Sequence, residues 1–317
     1  LKVQKLRYGL HMPFERVFNE IAVRAEPFAL CELQGQCSLG LDSQSGTTLH
    51  YILAGRGELV FKGRTPVPIE PGTLVLVPTL RSHTLRSFGH PGTPVPDCHP
   101  AELDLASHLR SDGNGATEGK LLAICSHVNI GLRGTSDLIN LIREPVIEKV
   151  TAQSPMLAPI EQMLVELSSP SLGSRALIRA ILTQCMIHLL RNRLVAGDVG
   201  LNWMAALVDE RLWTALRTML EKPGHPHSLD SLAATAGMSR SSFADKFSRA
   251  CGHGPMEMLR GLRMHTAAAL LAHSDLPVKR ISEQVGFLSR SAFSRAFSST
   301  CGTSPDTYRK NHRNNRD

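Results

Sequence analysis

Residues 239–255 read SRSSFADKFSRACGHGP, and residues 289–305 read SRSAFSRAFSSTCGTSP. The two stretches lie 50 residues apart, and nine of their seventeen positions are identical. Chance does not give that agreement, so one supersecondary unit occurs twice. The flanks agree as well: Leu232-Ala233-Ala234-Thr235-Ala236-Gly237 precedes the first stretch, and Ile281-Ser282-Glu283-Gln284-Val285-Gly286 precedes the second. Each copy reads as helix, glycine turn, helix. Gly237 and Gly286 supply the left-handed residue that stops the first helix. Ser239 and Ser289 then cap the second, because a hydroxyl oxygen accepts from its free N–H groups. Phe243 and Phe247 stand four apart, as do Phe293 and Phe297, so each pair shares one buried face. Gly252 and Gly302 end the second helices. This is a helix-turn-helix pattern, whose second helix enters the major groove of double-stranded DNA.

The face opposite the phenylalanines carries Arg290, Ser291, Ser294, Arg295 and Ser298 in the second copy. Arginine reaches guanine through two parallel hydrogen bonds, and serine bonds base edges or phosphates. The first copy presents Arg240, Ser241, Ala244, Asp245 and Ser248. Asp245 accepts from cytosine but repels phosphate, so this helix is expected to read fewer bases by hydrogen bonding. Met256–Ala272, between the copies, is rich in Leu, Met and Ala and predicts one helix. At 1.5 Å per residue it spans about 25 Å. That suits two readers near the ~34 Å separation of successive major grooves on one DNA face.

Charge agrees with this reading. Residues 225–317 carry 13 Lys and Arg against 7 Asp and Glu, whereas residues 1–224 carry 22 against 21. The excess positive charge therefore sits in the last 93 residues, as expected of a nucleic-acid-binding module behind a neutral body. A length of 317 residues predicts about two domains. Hydrophobic residues at 42% and charged residues at 20% exclude a wholly disordered or collagen-like chain. No apolar run approaches the ~18 residues of a membrane span. The first residues hold no charged segment followed by an apolar one, which predicts a chain without a secretory signal. Seven cysteines without a CxxC pair then read as reduced thiols in a cytoplasm.

The front half reads differently. Over residues 28–88, short apolar runs (Leu49–Ala54, Glu58–Lys62, Thr73–Val77) alternate with turns such as Gly55-Arg56-Gly57 and Pro71-Gly72. That spacing predicts a β-sandwich or barrel. Residues 89–100, with four prolines and two glycines, and residues 111–119 read as loops. Leu121–Gly131 reads as one more strand. From about residue 137 the period becomes helical. Ile160, Met163, Leu164 and Leu167 form one stripe, and Leu177, Ile178, Ile181, Leu182, Cys185, Leu189 and Leu190 form another, with Ser174 as its N-cap. The longer stripe serves either the internal core or pairing with a second chain. Leu207–Glu221 is a further helix, closed by Pro223-Gly224. The expected domains are a sensor over 1–136, a helical linker and dimerisation segment over 137–204, and a DNA-binding domain over 205–317.

Residues 225–310 resemble the DNA-binding domain of the AraC/XylS transcriptional regulators. The resemblance rests on Ile281…Val285-Gly286-Phe287…Ser291-Ala292-Phe293-Ser294-Arg295-Ala296-Phe297…Gly302…Ser304-Pro305…Tyr308-Arg309. It implies seven helices, with base contacts at Ser241 and Asp245 in the first unit and at Arg290, Ser291, Ser294 and Arg295 in the second. It also implies a bacterial, cytoplasmic activator that forms a homodimer and engages RNA polymerase.

Residues 28–131 are similar to the cupin-type N-terminal domain of one branch of these regulators. The matching residues are His50-Tyr51-Ile52-Leu53-Ala54-Gly55-Arg56-Gly57 and Glu70-Pro71-Gly72-Thr73-Leu74-Val75-Leu76-Val77-Pro78…His83. Metal-binding cupins carry HxH and a glutamate in the first motif; here it reads His50-Tyr51-Ile52, without the second histidine. A different donor set is Cys37, His50, His83 and Cys125, each on a predicted strand or its end. The resemblance implies that cysteines recur at positions 37 and 125 of that branch. Two thiolates and two imidazoles suit tetrahedral Zn²⁺. The same thiols would also react with oxidants and form a disulfide. The alternative is a dry pocket for a small organic ligand, with the thiols as small apolar core residues.

The expectation is thus an α+β multidomain regulator. It has an N-terminal cupin-like β-barrel, a helical linker, and a C-terminal all-α domain with two helix-turn-helix units. An unidentified effector (small molecule, metal or oxidant) controls it from the N-terminal domain. A cupin-fold enzyme with a DNA-binding tail is the competing reading, and it lacks a complete metal set. No Gly-x-Ser-x-Gly, P-loop or dinucleotide fingerprint occurs.

Overall fold

The computed structural model describes residues 18–19, 21–41, 46–61, 63–89, 95–100, 120–132, 141–142, 144–197 and 203–314. They fall into two compact units, one within Ala22–Ile130 and Glu144–Ala196, the other within Gly197–Asp317. The predicted loop over 111–119 lies outside the described residues.

The first unit is built from β1 (Ile21–Gln34), β2 (Ser38–Leu41), β3 (Thr47–Ala54), β4 (Gly57–Phe61), β5 (Val67–Ile69), β6 (Thr73–Val77), β7 (His83–Ser87), β8 (Val95–Pro100), β9 (Lys120–Leu132) and β10 (Val146–Lys149). They form a six-stranded sheet in the order β10-β6-β3-β9-β1-β8 and a four-stranded sheet in the order β2-β7-β4-β5. Leu33, Ile52, Val75 and Ala123 from the first sheet meet Leu59, Ile69 and Leu85 from the second in one buried cluster. The core therefore lies between the sheets, as a cupin barrel requires.

The proline-rich segment is not wholly a loop. Residues 95–100 form β8, antiparallel to β1, with Leu33 opposite Pro96 and Ala29 opposite Pro100. β8 is the edge strand of its sheet, where a missing N–H breaks no ladder. Turn composition and edge-strand composition are alike, and only the sheet order separates them.

Two helices, α1 (Leu157–Ser168) and α2 (Ser174–Val195), belong to this unit and pack on each other. Their stripes are buried, with Ile160, Met163 and Leu167 on α1 and Ile178, Ile181, Leu182, Cys185 and Leu189 on α2, except that Leu177, at the start of the second stripe, is exposed. Ser174 is not the N-cap. Gly173 takes that place at φ 90°, and Ser174 is the first helical residue. Its hydroxyl accepts from the Ser171 N–H at 2.7 Å and donates to Glu166 Oε2 at 2.6 Å, tying the turn to α1.

The second unit is helical: α3 (Met204–Val208), α4 (Glu210–Glu221), α5 (Leu229–Thr235), α6 (Arg240–Cys251), α7 (Pro255–His273), α8 (Val278–Gln284), α9 (Arg290–Cys301) and α10 (Pro305–Asn314). The single helix expected over 207–221 is broken at Asp209, which is extended at φ −85°, ψ 108°. Asp209 caps α4 by accepting from the Arg211 and Leu212 N–H groups, and it also pairs with Lys246 of α6. These bonds offset the cost of interrupting the helix. Helices α4 to α10 match the seven implied by the resemblance.

The repeat closes as its residues predict. Gly237 and Gly286 have φ of 61° and 79°. The Met238 N–H returns to the Ala233 carbonyl, and the Phe287 N–H to the Ser282 carbonyl, which satisfies the helix ends. Phe243, Phe247, Phe293 and Phe297 are fully buried, and Tyr308 of α10 meets Phe297 edge to face at 5.3 Å. Each such side chain contributes about 2–3 kcal/mol by leaving water.

Candidate functional site

The first candidate surface is the outer face of α6 and α9. Ser239 Oγ accepts from the Ser242 N–H at 3.3 Å, and Ser289 Oγ accepts from the Ala292 N–H at 3.1 Å. Each phenylalanine pair pins one side of its helix inward, so the other side is presented to solvent. Arg240, Ser241, Asp245, Arg290, Ser291 and Arg295 are all exposed there, and Ser294 is half-buried.

Their charges are partly occupied. Arg240 stands 3.6 Å from Asp230, Arg290 stands 3.5 Å from Asp306, and Asp245 pairs with Arg249 one turn on. Exposed pairs of this kind hold about 0–1 kcal/mol, so a phosphate or guanine edge displaces them readily. Arg249 also offsets the repulsion that Asp245 alone would offer a phosphate. Arg295 makes no hydrogen bond or ion pair among the described residues. Its guanidinium is the one on α9 that needs no partner removed before it meets DNA.

The second candidate site is buried between the sheets. His50 on β3 is in register with Cys125 on β9, and β1 with Cys31 is the next strand. His50 Nδ1 lies 3.0 Å from Cys125 Sγ, and Cys125 Sγ lies 3.0 Å from Cys31 Sγ. His83, on β7 of the other sheet, brings its Nε2 within 2.7 Å of His50 Nε2. His83 Nδ1 lies 3.2 Å from the Arg81 carbonyl oxygen.

Burial, with the neighbouring imidazoles of His83 and His127, pushes the His50 pKa well below 6.5. Burial likewise lowers that of His83 to about 4. Both rings are neutral at pH 7, so each carries one N–H and one lone pair. A carbonyl only accepts, so His83 Nδ1 carries the proton and its Nε2 is a lone pair. His50 must then donate from Nε2, which leaves Nδ1 as the acceptor facing Cys125. The Arg81 carbonyl thus sets, through two rings, a base at the Cys125 thiol.

Three of the four donors singled out in the sequence (His50, His83 and Cys125) come together here. Cys37 lies in the same hydrophobic cluster, where burial raises its thiol pKa, and no hydrogen bond joins its sulfur to either histidine. Cys31 takes the place beside Cys125. Tetrahedral zinc needs donors converging on one point, with nitrogen and sulfur about 3.5 Å apart. His50 instead faces Cys125 with one ring nitrogen and His83 with the other, so the set does not fit Zn²⁺. Among the described residues no group of three or more His, Cys, Asp or Glu is arranged to hold a metal ion.

A cupin family model matches residues 13–194, and a helix-turn-helix domain model matches residues 232–311. The chain is an AraC-type transcriptional regulator. Relatives of this regulator span nearly its whole length. A putative AraC-like transcription regulator of Streptomyces lividans is 27% identical over 306 residues, covering 94% of this chain and 98% of the relative. The RCS-specific HTH-type transcriptional activator RclR of Escherichia coli K12 is 29% identical over 282 residues, covering 86% and 90%. The solved structure of ToxT from Vibrio cholerae shares the fold at a TM-score of 0.50 and 11% identity, covering 91% of this chain and 98% of that one. Among the described residues no helix of this AraC-type regulator is long and apolar enough to cross a membrane.

Cys31 is the member of this buried cluster that sequence reading missed. Its signal was its spacing from Leu33, two residues on, which places both on the inner face of β1.

Proposed function

We propose that this regulator binds two adjacent major grooves through α6 and α9 and is switched by oxidation of Cys31 and Cys125. The observation that carries the switch is the 3.0 Å separation of the two sulfurs beside an imidazole that accepts the Cys125 proton. A hydroperoxide is the oxidant class that fits a small buried thiol. His50 takes the proton of Cys125, and the thiolate attacks one peroxide oxygen. The O–O bond breaks, that proton leaves with the departing oxygen as water, and Cys125 becomes a sulfenic acid. The Cys31 sulfur then attacks the Cys125 sulfur, the S–O bond breaks, and the Cys31 proton leaves with the oxygen as a second water. Two thiols and one hydrogen peroxide yield one disulfide and two waters.

Bond formation draws the sulfurs to about 2.05 Å and removes the proton that His50 accepts. Strands β1 and β9 are adjacent in the six-stranded sheet, so the new bond ties two neighbouring strands of that sheet together. Oxidation acts on DNA binding only to the extent that the two arrangements differ in affinity. RclR is by name a transcriptional activator, which supports reading this chain as an activator.

The same reading places the protein in the bacterial cytoplasm, where thiols start reduced. Contact with RNA polymerase follows from the role of activator. A second copy docks on the helical hairpin, whose Val165, Leu172 and Leu177 remain exposed. The experiment that tests the function is a gel shift on an operator selected from random duplex DNA, run on reduced protein and after hydrogen peroxide. The expected result is a selective complex whose affinity or transcriptional output changes on oxidation, in wild type but not in Cys31→Ser. Equal responses in both proteins overturn the redox half of the proposal, and binding without sequence preference overturns the other half.

A further inference from the structure

We infer that Arg263 is a positioning residue that locks the spacing between the two recognition helices, an inference that rests on the two-groove reading above. Arg263 is half-buried near the middle of α7. Its Nε donates to the Pro223 carbonyl at 2.8 Å, Nη2 to the His225 carbonyl at 2.9 Å, and Nη1 to the Gly286 carbonyl at 3.3 Å. The first two carbonyls belong to the segment that leads from α4 into the first helix-turn-helix. The third belongs to the turn between α8 and α9. One planar guanidinium thus joins the entry to the first unit, the central helix and the turn of the second.

The joint is packed as tightly as it is bonded. A Cβ on Gly224 would lie 1.9 Å from the Gln284 carbonyl oxygen. A Cβ on Gly286 would lie 2.6 Å from the Gly224 carbonyl oxygen and 2.9 Å from Arg263 Nη2. Bare backbone of the α4–α5 segment therefore lies directly against the end of α8, with no side chain between them to yield. Because Arg263 holds the Gly286 carbonyl, it fixes where the turn delivers Ser289, the N-cap of α9. None of its bonds reaches the exposed face of α6 or α9, so its effect on DNA runs through geometry.

Two linked readers gain affinity from each other only if their separation matches the two grooves. A rigid joint makes that match sharp, and a loosened joint makes it broad. The test uses an operator selected from random duplex DNA by the wild-type protein, and the same operator with one base pair inserted between its half-sites. Affinity for each is read by fluorescence anisotropy. For wild type the insertion is expected to weaken binding by about tenfold or more. In Arg263→Met and Gly224→Ala the native operator is bound about tenfold more weakly, and the penalty for the insertion shrinks several-fold. Arg263→Lys, which keeps the charge but lacks the planar fork, is expected to fall between.

A merely structural residue lowers thermal stability and affinity for both operators alike, leaving the ratio at the wild-type value. That result in the folded Met and Lys variants, with helical circular dichroism intact, overturns the inference. Arg263→Lys retains stem and charge, so it carries the test even if Arg263→Met does not fold. A hydroxyl-radical footprint of wild type separates the two levels. Protection of two grooves with unchanged ratios sinks the role of Arg263 alone, whereas protection of a single groove sinks the two-groove reading.

Discussion

His50 and His83 meet across the two sheets of the first unit, Nε2 to Nε2 at 2.7 Å, with both rings neutral at pH 7. Two imidazolium ions cannot share that contact, because both nitrogens would be donors. The pair is therefore a polar strut that is lost once both rings are protonated, and while neutral it places the lone pair of His50 Nδ1 at Cys125.

The stability of the first unit should fall as pH falls, for this reason. Both folded pKa values lie below the ordinary 6.5, that of His83 at about 4. The unfolded chain thus binds more protons than the folded one below pH 6.5, and stability rises with pH through that range. The contribution is fully present above pH 6.5 and is lost as pH falls toward 4. Urea unfolding at neutral pH and at about pH 5 should show a lower midpoint at the lower pH. The His50→Gln/His83→Gln protein should show a smaller drop. An equal drop in both proteins would assign the acid sensitivity to other groups.

Arg295 is expected to be the costliest single loss on the DNA face. Arg295→Ala should weaken operator binding by about 1–3 kcal/mol and relax one base position. Arg290→Ala should cost less, because its guanidinium is already shared with Asp306. Competition gel shifts with operators mutated one position at a time measure both. A uniform loss across all operators, with no relaxed position, would make Arg295 a phosphate contact instead.

The N-cap of α9 gives a local test of the repeat. Ser289→Ala removes the acceptor of the Ala292 N–H and should cost about 1 kcal/mol, while Ser289→Asp should retain most of it. Thermal unfolding of the two variants should separate by a few degrees. Equal melting temperatures would show that packing of Phe293 and Phe297 alone sets this helix.

The helix-turn-helix units were readable because their signals are local. Caps, glycine stops and four-residue phenylalanine spacing all lie within about twenty residues and occur twice. Strands β3, β4 and β6 were readable for the same reason, bounded as they are by Gly and Pro turns. The edge strand β8 was not, because its prolines are tolerable only at the sheet's edge, and sheet order is not a local property. The break at Asp209 depends on Lys246, far along the chain. The choice of Cys31 over Cys37 depends on which strand lies beside β9. Arg263 leaves no mark at all, since its acceptors are backbone carbonyls common to every sequence.

The central claim is that Cys31 and Cys125 form the switch. Its most direct test is peptide mapping of the full-length protein after brief hydrogen peroxide, with remaining thiols blocked under acid. The predicted result is a Cys31–Cys125 disulfide as the first product, slowed in His50→Gln and absent in Cys125→Ser. The contradicting result is an oxidant response in which Cys125 stays a free thiol, or in which Cys31 pairs first with Cys98, its register partner on β8.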